Sequence, residues 1–249
     1  MPLKIDGSYG EGGGQVLRTS LALSVILGQP VEIVNIRAGR SKPGLRPQHL
    51  AGVRALARIS SAEVQGDQMG STSLSFAPGE VQSGRYAFDV AEETRSAGAV
   101  TLLFQSLALP LACASGFSEI TLKGGTHVAW SPPFHYLTEV LLPILSRLGY
   151  RAELELRSWG WYPRGGGEVN LRVEPLEDRA PLPKPPDRPS PTEKEKRIEE
   201  LWKKPLNPLN LDKRGELKAI RGISASSNLP SHVVERQARR VIERLHQQA

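Results

Sequence analysis

The sequence has almost no cysteine and no long hydrophobic run. Among its 249 residues Cys113 is the single cysteine, which excludes a disulfide within the chain and any cysteine-rich zinc site. A reducing compartment is therefore the expected setting. No stretch approaches the roughly 18 apolar residues of a membrane-spanning helix, and the first ten residues contain no apolar run of signal-peptide length. These absences predict a soluble protein of the cytoplasm.

Acidic residues are fewer than basic ones. The chain has 32 Lys and Arg against 26 Asp and Glu, a formal net charge of +6 and a sequence pI of about 9.6. This excess is compatible with a nucleic acid or nucleotide partner, and it also occurs in soluble proteins that bind nothing acidic. Hydrophobic residues make up 39% of the chain, which is enough for the core of one large domain or two small ones.

The order of predicted elements occurs twice. Residues 1–80 and residues 84–175 each predict strand, helix, strand, helix, strand, strand, with apolar residues at helical spacing or in alternation. Helices are expected over 15–28, 47–60, 93–114 and 133–149, with Gly28 as the C-cap of the first. The two copies share the order of their predicted elements, but their sequence identity is low. We expect an α/β (α+β) fold of repeated βαβαββ units, two complete and a third incomplete.

The composition changes after the second unit. Residues 176–214 are rich in proline and charge and are expected to be a linker or insertion, with one solvated helix over 191–204 capped by Thr192. Residues 215–249 predict a strand over 215–227 and then a helix, the start of a third unit. Five apolar residues of that helix are expected to face inward: Val233, Val234, Ala238, Val241 and Leu245. An incomplete unit leaves a strand edge unpaired, so we expect the chain to be truncated.

A glycine-rich turn precedes the first helix. The stretch is GEGGGQVLR, from Gly10 to Arg18. Such a turn leaves backbone N–H groups free for an anion, although a tight strand-to-helix turn alone also accounts for it. The stretch lacks the Lys-Ser/Thr ending of a Walker A loop and the spacing of a dinucleotide-binding fingerprint. Glu11 is a candidate helix cap or metal ligand, or a solvated side chain.

A basic loop, RAGRSKPGLRPQHL, follows the second predicted strand. Arg37, Arg40, Lys42 and Arg46 lie within ten positions of one another, between glycines and prolines. Arginine presents a planar fork that suits phosphate, whereas the alternative is a solvated run of charge. Arg18, one strand away, is positioned to join these residues.

Two further loops contain aromatic residues. In GGTHVAWSPPF, His127 is a candidate ligand or base or a merely exposed histidine. Trp130, Pro132 and Pro133 are candidates for a flat apolar wall against a base. The stretch WGWYPRGGG contains another run of glycines, preceded by aromatic residues. Its residues Trp159, Trp161 and Tyr162 either stack on nucleobases or belong to the core or a lid.

Taken together, these stretches resemble the RNA 3′-terminal phosphate cyclase family. The resemblance is carried by DGSYGEGGGQVLR, IRAGRSKPGLRPQHL, SAGAVTLLFQ, GGTHVAWSPP and GWYPRGGGEV, and it resumes at AIRGISASSNLPSHVVERQA. It implies a large domain of three βαβαββ units and a smaller inserted α/β domain. It also implies an enzyme that uses ATP and a divalent ion, Mg²⁺ or Mn²⁺, to convert an RNA 3′-phosphate into a 2′,3′-cyclic phosphate through adenylylated intermediates.

The resemblance also assigns site residues. Glu11 is expected to bind the metal near the ATP phosphates, and Gln105 and Pro132 to line the adenylate pocket. The RNA terminal phosphate is expected to contact Arg18, Arg37, Arg40 and Gln48. The expected partners are thus an RNA 3′-phosphate end and ATP, with no membrane, and oligomerisation is left open.

One feature departs from the family pattern. The family's nucleophilic histidine, which accepts AMP, lies near the C-terminus beyond the inserted domain, and none of the five histidines of this chain lies in a matching stretch. We therefore expect an incomplete form of the cyclase. The alternative is a non-catalytic member of the same fold family that binds RNA or acts in ribosome assembly.

Overall fold

The structure, a computed structural model, describes residues 1–90, 97–176, 192, 208–213 and 215–247. It divides into one compact unit, Met1–Leu209, and a second, Asn210–Ala249. Strands and helices are mixed along the first unit, which confirms the predicted α/β (α+β) fold class. Within the described residues, the helices are too short or too polar to cross a membrane.

The first half of the larger unit contains four strands and two helices. In chain order these are β1 (Leu3–Asp6), α1 (Gly14–Leu27), β2 (Val31–Val34), α2 (Pro47–Ser60), β3 (Glu63–Gln65) and β4 (Leu74–Ala77). The strands form one sheet in the order β1-β2-β4-β3. The pair β1 and β2 is parallel, and β4 is antiparallel to both β2 and β3.

The second half contains a sheet of the same strand order. Its elements are β5 (Arg85–Asp89), α3 (Val100–Ala112), β6 (Ser118–Gly124), α4 (Phe134–Tyr136), α5 (Leu142–Arg147), β7 (Ala152–Ser158) and β8 (Gly167–Val173). The order is β5-β6-β8-β7, with β5 parallel to β6 and the other pairs antiparallel. The exact domain boundaries remain predictions.

A single hydrophobic core joins both halves, and α1, α2 and α3 pack against one another within it. On α1, the buried residues Leu17, Leu21 and Val25 recur every four positions and form one apolar face. The helix ends at Gly28, whose φ of 61° places it in the left-handed region. This confirms the predicted C-cap, since glycine adopts that conformation without steric cost.

Two helices differ from their predicted bounds. The helix expected from 93 begins at Val100, because Ala99 forms an isolated parallel bridge with Gly125 and is held extended; residues 91–96 lie outside the described ranges. The helix expected over 133–149 contains a π-helical turn, Leu137–Leu141, between α4 and α5. Pro143 lacks the N–H that would bond the carbonyl of Glu139, so a regular α-helical ladder is interrupted there.

The smaller unit contains one helix, α6 (Ser231–His246). The strand expected over 215–227 is absent from the described residues of that range, because this unit offers no second described strand for it to pair with. The prediction that Val241 and Leu245 face inward is also wrong: their exposed fractions are 58% and 37%, since no other described element of the unit covers them. Apart from Thr192, the helix predicted over 191–204 lies outside the described residues.

Candidate functional site

The N-terminus of α1 is formed by glycines. Its N-cap is Gly13, no side chain caps it, and its first turn contains no acidic residue. The first N–H groups of a helix have no partner within the helix and carry a partial positive charge. The glycine loop, which we define as Gly7–Gly13, therefore ends at a site with the polarity that anions require.

The glycine loop packs directly against the arginine loop, which we define as Asn35–Arg46. A Cβ atom on Gly12 would lie 2.7 Å from the backbone nitrogen of Gly39, and one on Gly39 would lie 2.7 Å from the carbonyl oxygen of Glu11. A Cβ on Gly13 would lie 2.7 Å from Arg40 Nη2. Glycine is thus required here because a backbone or a guanidinium group occupies the space of a side chain.

A hydrogen-bonded carboxylate joins the same two loops at their other end. Asp6 accepts hydrogen bonds from the Ser8 hydroxyl (2.7 Å), the Ser8 backbone N–H (2.9 Å) and the Asn35 amide (3.2 Å). The Ser8 hydroxyl, followed by the other two donors, lowers the pKa of the Asp6 carboxyl. Beside it, the Gly7 N–H donates to the Val34 carbonyl at 2.7 Å. The loops therefore start from a common anchor.

Arg40 and Glu11 form an ion pair at the mouth of the site. Arg40 Nη2 donates to Glu11 Oε1 at 2.7 Å, and the side chains are 44% and 76% exposed. An exposed pair of this kind contributes only about 0–1 kcal/mol to stability. It leaves Arg40 accessible and leaves Glu11 Oε2 without a partner among the described residues, so both groups are available to a ligand.

Arg37 organises the arginine loop. Its Nη1 donates to the carbonyl oxygens of Lys42 (2.7 Å) and Gly44 (2.8 Å), and its own φ is 57°. Burial, followed by the charges of Arg46 and Arg40, lowers the pKa of its guanidinium. One amino group thus closes the loop, while Nε and Nη2 remain for another acceptor.

Arg18 lies on the first turns of α1 and points toward α3. Its Nη2 donates to the Gln15 side chain at 2.8 Å and its Nε to Gln105 Oε1 at 3.3 Å. Burial lowers the pKa of this guanidinium, and both acceptors are neutral amides. The Arg18 charge is therefore held in place without being neutralised by either contact.

His49 lies among the arginines and is uncharged at neutral pH. A Cβ on Gly14 would collide with its Nε2, and its buried Nδ1 has no hydrogen-bond partner among the residues that the structure describes. Burial lowers the pKa of this imidazole to about 3, and the charges of Arg37, Arg18 and Arg46 contribute in the same direction. The imidazole therefore adds no positive charge of its own to the site.

Gln48 connects the two halves of the unit. Its Nε2 donates to the Ala99 carbonyl at 3.0 Å and its Oε1 accepts from the Ala99 N–H at 2.6 Å. This pair of bonds fixes the start of α2 against the N-cap of α3. Both polar atoms of Gln48 have a partner within the protein, and Nε2 retains one further hydrogen for a ligand.

No described contact joins Pro132 to the arginines. It is exposed, and it adjoins a groove lined on one side by Gln48, Ala99 and Leu102 and on the other by Trp130 and Tyr162. Pro132 is not itself part of that lining. Gln105 contacts Arg18, so the described contacts bring Gln105 to the arginines and leave Pro132 at the groove.

The other candidate histidine is neither free nor merely exposed. His127 Nε2 and His135 Nδ1 are hydrogen-bonded at 2.9 Å, and His127 Nδ1 bonds the Thr126 hydroxyl at 2.8 Å. Its ring stacks on Trp159 and Trp161, with centroids 4.3 and 5.3 Å away. These two indoles therefore pack on an imidazole, and burial with the neighbouring His135 lowers the pKa of His127 to about 4.

Several contacts in this site are not predictable from sequence. Asp6, Gln15 and Asn35 hold the two loops and Arg18 in place, yet the residues next to them in sequence do not distinguish them. The spacing of Gln15 and Arg18, three residues apart on one helix, was the available signal for that pair. The partners of Asp6 come from two different loops, which sequence spacing does not show.

The donor set at Glu11 suits a hard divalent ion that shares its ligands with a substrate. Magnesium is commonly held by one or two carboxylates together with substrate phosphates, and Glu11 supplies one exposed carboxylate. The described residues contain no group of three or more His, Cys, Asp and Glu side chains that would hold a metal by themselves. An ion at Glu11 would thus depend on oxygens of a bound phosphate.

A comparison with protein families matches residues 9–237 to the family described as RNA 3′-terminal phosphate cyclase. Relatives with that name are 50% identical in a Nostoc species over 241 residues and 50% identical in Gloeothece citriformis over 250 residues, covering 96% and 99% of this chain. A relative in Methanopyrus kandleri with the same name is 45% identical over 97% of this chain. The chain spans 60–63% of the length of these three relatives.

Among solved structures, EPSP synthase from Acinetobacter baumannii aligns with a TM-score of 0.30 at 13% identity. That alignment covers 70% of this chain and 47% of the other. At such a score the likeness carries no conclusion about either fold or function.

Proposed function

The chain belongs to the RNA 3′-terminal phosphate cyclase family, and we propose that it acts on an RNA 3′-phosphate end. The proposed reaction converts the 3′-phosphate into a 2′,3′-cyclic phosphate at the expense of ATP, through adenylylated intermediates. The single cysteine supports a reducing, cytoplasmic setting for this reaction.

One observation carries the proposal: guanidinium groups from the arginine loop and from α1 gather at an uncapped helix N-terminus. Arg40 contacts Gly13, Arg18 approaches Gly14, and Arg37 lies close enough to His49 to lower its pKa. Glu11 is the one carboxylate that pairs with these arginines among the described residues. This excess of positive charge matches a terminal phosphate, which carries about 1.5 to 2 negative charges at pH 7.

We assign the terminal phosphate to Arg18, Arg37, Arg40 and Gln48. The remaining N–H groups of Arg37 and Arg18 and the exposed fork of Arg40 supply donors for its oxygens. The arginines neutralise the phosphate and hold it in one orientation, and phosphoryl transfer depends mainly on these two effects. Gln48 is held in place by its two hydrogen bonds to Ala99, and its remaining Nε2 N–H is available to donate to the phosphate.

The chemistry needs an activated phosphate. ATP supplies AMP with release of diphosphate, and transfer of this AMP to an oxygen of the terminal phosphate gives that phosphate a good leaving group. The vicinal 2′-hydroxyl then attacks the phosphorus and loses its proton to water, the bond to AMP breaks, and the cyclic phosphate forms. We assign Glu11 to a Mg²⁺ or Mn²⁺ ion near the ATP phosphates, where the ion would supply Lewis acidity and charge neutralisation. We assign Gln105 and Pro132 to the adenylate pocket. The histidine that accepts AMP is not among these residues.

A binding comparison tests the terminal-phosphate assignment. Fluorescent single-stranded RNA oligonucleotides ending in a 3′-phosphate or a 3′-hydroxyl are titrated with the chain, and we expect tighter binding of the phosphorylated end. Arg40→Gln should remove most of this preference. Arg85→Gln, which breaks an exposed ion pair with Glu119 of similar length (2.8 Å), should preserve it. Equal affinity of the unaltered chain for the two ends would overturn the proposal.

The reaction is tested separately. The chain is incubated with ATP, Mg²⁺ and an RNA that carries a labelled 3′-phosphate, and the end is then challenged with phosphatase. Cyclisation makes the label resistant to phosphatase, and ATP should be required for that resistance. Binding of the 3′-phosphate without cyclisation would restrict the function of this chain to recognition of RNA ends.

A further inference from the structure

Arg46 is held firmly at its backbone. It is the N-cap of α2, and its carbonyl accepts hydrogen bonds from the N–H groups of His49 (2.8 Å) and Leu50 (3.0 Å). The preceding Leu45 is fully buried and its N–H donates to Ser71, while Pro47 follows at the first helical position. The backbone position of Arg46 is therefore fixed beside the site.

The guanidinium of Arg46 has no acceptor. Its side chain is half-buried, and no hydrogen bond or ion pair joins it to any residue that the structure describes. It lies close enough to Arg37 and His49 to lower the pKa of both groups. A partly desolvated cation among like charges is unfavourable unless an anion joins it.

The other three arginines of the site each have protein acceptors. Arg40 pairs with Glu11, Arg37 donates to two carbonyls of its own loop, and Arg18 donates to two glutamines. Arg46 is thus the arginine whose full set of five N–H donors remains for a ligand. We propose that Arg46 is a further binding residue for the terminal phosphate of the RNA, a role that rests on the proposed function above.

The experiment compares Arg46→Gln with Arg58→Gln. Arg58 lies on the same helix, α2, and is exposed over the rings of Tyr86 and Phe88. Affinities for the 3′-phosphate and 3′-hydroxyl oligonucleotides are measured at several salt concentrations. Arg46→Gln should weaken binding of the 3′-phosphate end about tenfold or more, change binding of the 3′-hydroxyl end little, and lower the salt slope for the phosphorylated end by about one. Arg58→Gln should leave the preference for the phosphorylated end unchanged.

Arg46→Lys and thermal unfolding complete the test. Lysine keeps the charge without the fork, so it should restore part of the affinity. The Arg46 side chain makes no capping hydrogen bond, so the unfolding temperature of Arg46→Gln should stay near that of the parent. If Arg46→Gln weakened binding of both RNA ends equally, Arg46 would contact the RNA backbone and the proposal would be overturned. The proposal would also be overturned if Arg46→Gln bound the 3′-phosphate end as tightly as the parent does. Failure of the proposed function gives a different result from failure of this inference, because the unaltered chain would then bind the 3′-phosphate and 3′-hydroxyl ends equally.

Discussion

Gly12 and Gly39 lie backbone against backbone, and this contact holds the glycine loop to the arginine loop. A Cβ on Gly12 would approach the Gly39 nitrogen to 2.7 Å. The charges of the arginine loop reach the N-terminus of α1 because nothing bulkier than hydrogen separates the two backbones. The arginines can therefore lie beside the N-terminus of α1 only while the two loops stay in contact.

Gly12→Ala should be more harmful than Gly10→Ala. Both residues have positive φ, 57° and 65°, so both alanine variants carry a left-handed strain of about 1 kcal/mol. A Cβ on Gly10 meets nothing within 4 Å, whereas Gly12→Ala also forces the loops apart, which costs about 1–3 kcal/mol more. Urea unfolding of the two variants measures the difference, and equal losses would argue against the packing described.

Glu11→Gln should strengthen binding of a 3′-phosphorylated RNA in the absence of divalent ions. The variant removes the carboxylate that pairs with Arg40, so the net positive charge near the proposed phosphate site increases. We expect the affinity for the RNA to rise several-fold, which corresponds to about 1 kcal/mol. Glu119→Gln, which removes the partner of Arg85, is the matched control and should change nothing.

Titration of the parent and Glu11→Gln with ATP, in the presence and absence of Mg²⁺, tests the metal assignment. Any increase in affinity for ATP that Mg²⁺ gives to the parent should be smaller in Glu11→Gln, because the proposed ion loses its protein ligand. A variant with the full Mg²⁺ effect would contradict the assignment of the metal to Glu11.

Gln48→Leu should destabilise the larger unit by about 1–3 kcal/mol, because it leaves the N–H of the buried Ala99 without its acceptor and removes one of the two donors to the Ala99 carbonyl. Gln105→Leu removes one exposed hydrogen bond of 3.3 Å and should cost less than half as much. Denaturant unfolding of both variants provides the comparison. A smaller loss for Gln48→Leu would show that the bond pair does not hold the halves together.

His49→Gln should reduce the loss of stability in acid. The folded-state pKa of about 3 lies below the ordinary value of 6.5, so between these values the unfolded chain binds a proton that the folded chain excludes. Stability contributed by His49 is therefore complete above pH 6.5 and falls as the pH is lowered, by at most about 1.4 kcal/mol per pH unit.

Thermal unfolding of the parent and His49→Gln between pH 7 and pH 4 checks this slope. His246→Gln, on the exposed end of α6, is the control. The pKa of His127 is lowered as well, to about 4, so the variant should flatten the acid slope in part. Parallel curves for parent and His49→Gln would contradict the burial of an uncharged imidazole.

Local features of the fold were predictable because they depend on neighbouring residues. The helix predicted over 47–60 has those bounds in the structure, since its proline start and apolar face are local signals. The start of α3 was not predictable in the same way. Ala99 is held extended by Gly125 and Gln48, which lie 26 and 51 positions away along the chain.

The site was predictable as a set of residue types and not as a set of contacts. The glycines and arginines predict an anion site, and the described contacts bring Arg18 and Arg40 to the N-terminus of α1. That Arg37 donates to its own loop while Arg46 has no acceptor among the described residues depends on side-chain directions, which no spacing in the sequence encodes.

The two hydrogen bonds between Gln48 and Ala99 also bear on how the protein matures during translation. The residues around the first helix start are synthesised early, but the amide of Gln48 and the Nε atom of Arg18 have partners on the N-cap of α3 and on α3 itself. A nascent chain released only as far as Asp89 therefore lacks the contacts that join Gln48 and Arg18 to α3. The start of α2 and the Arg18 side chain gain this support once α3 has left the ribosome and docked.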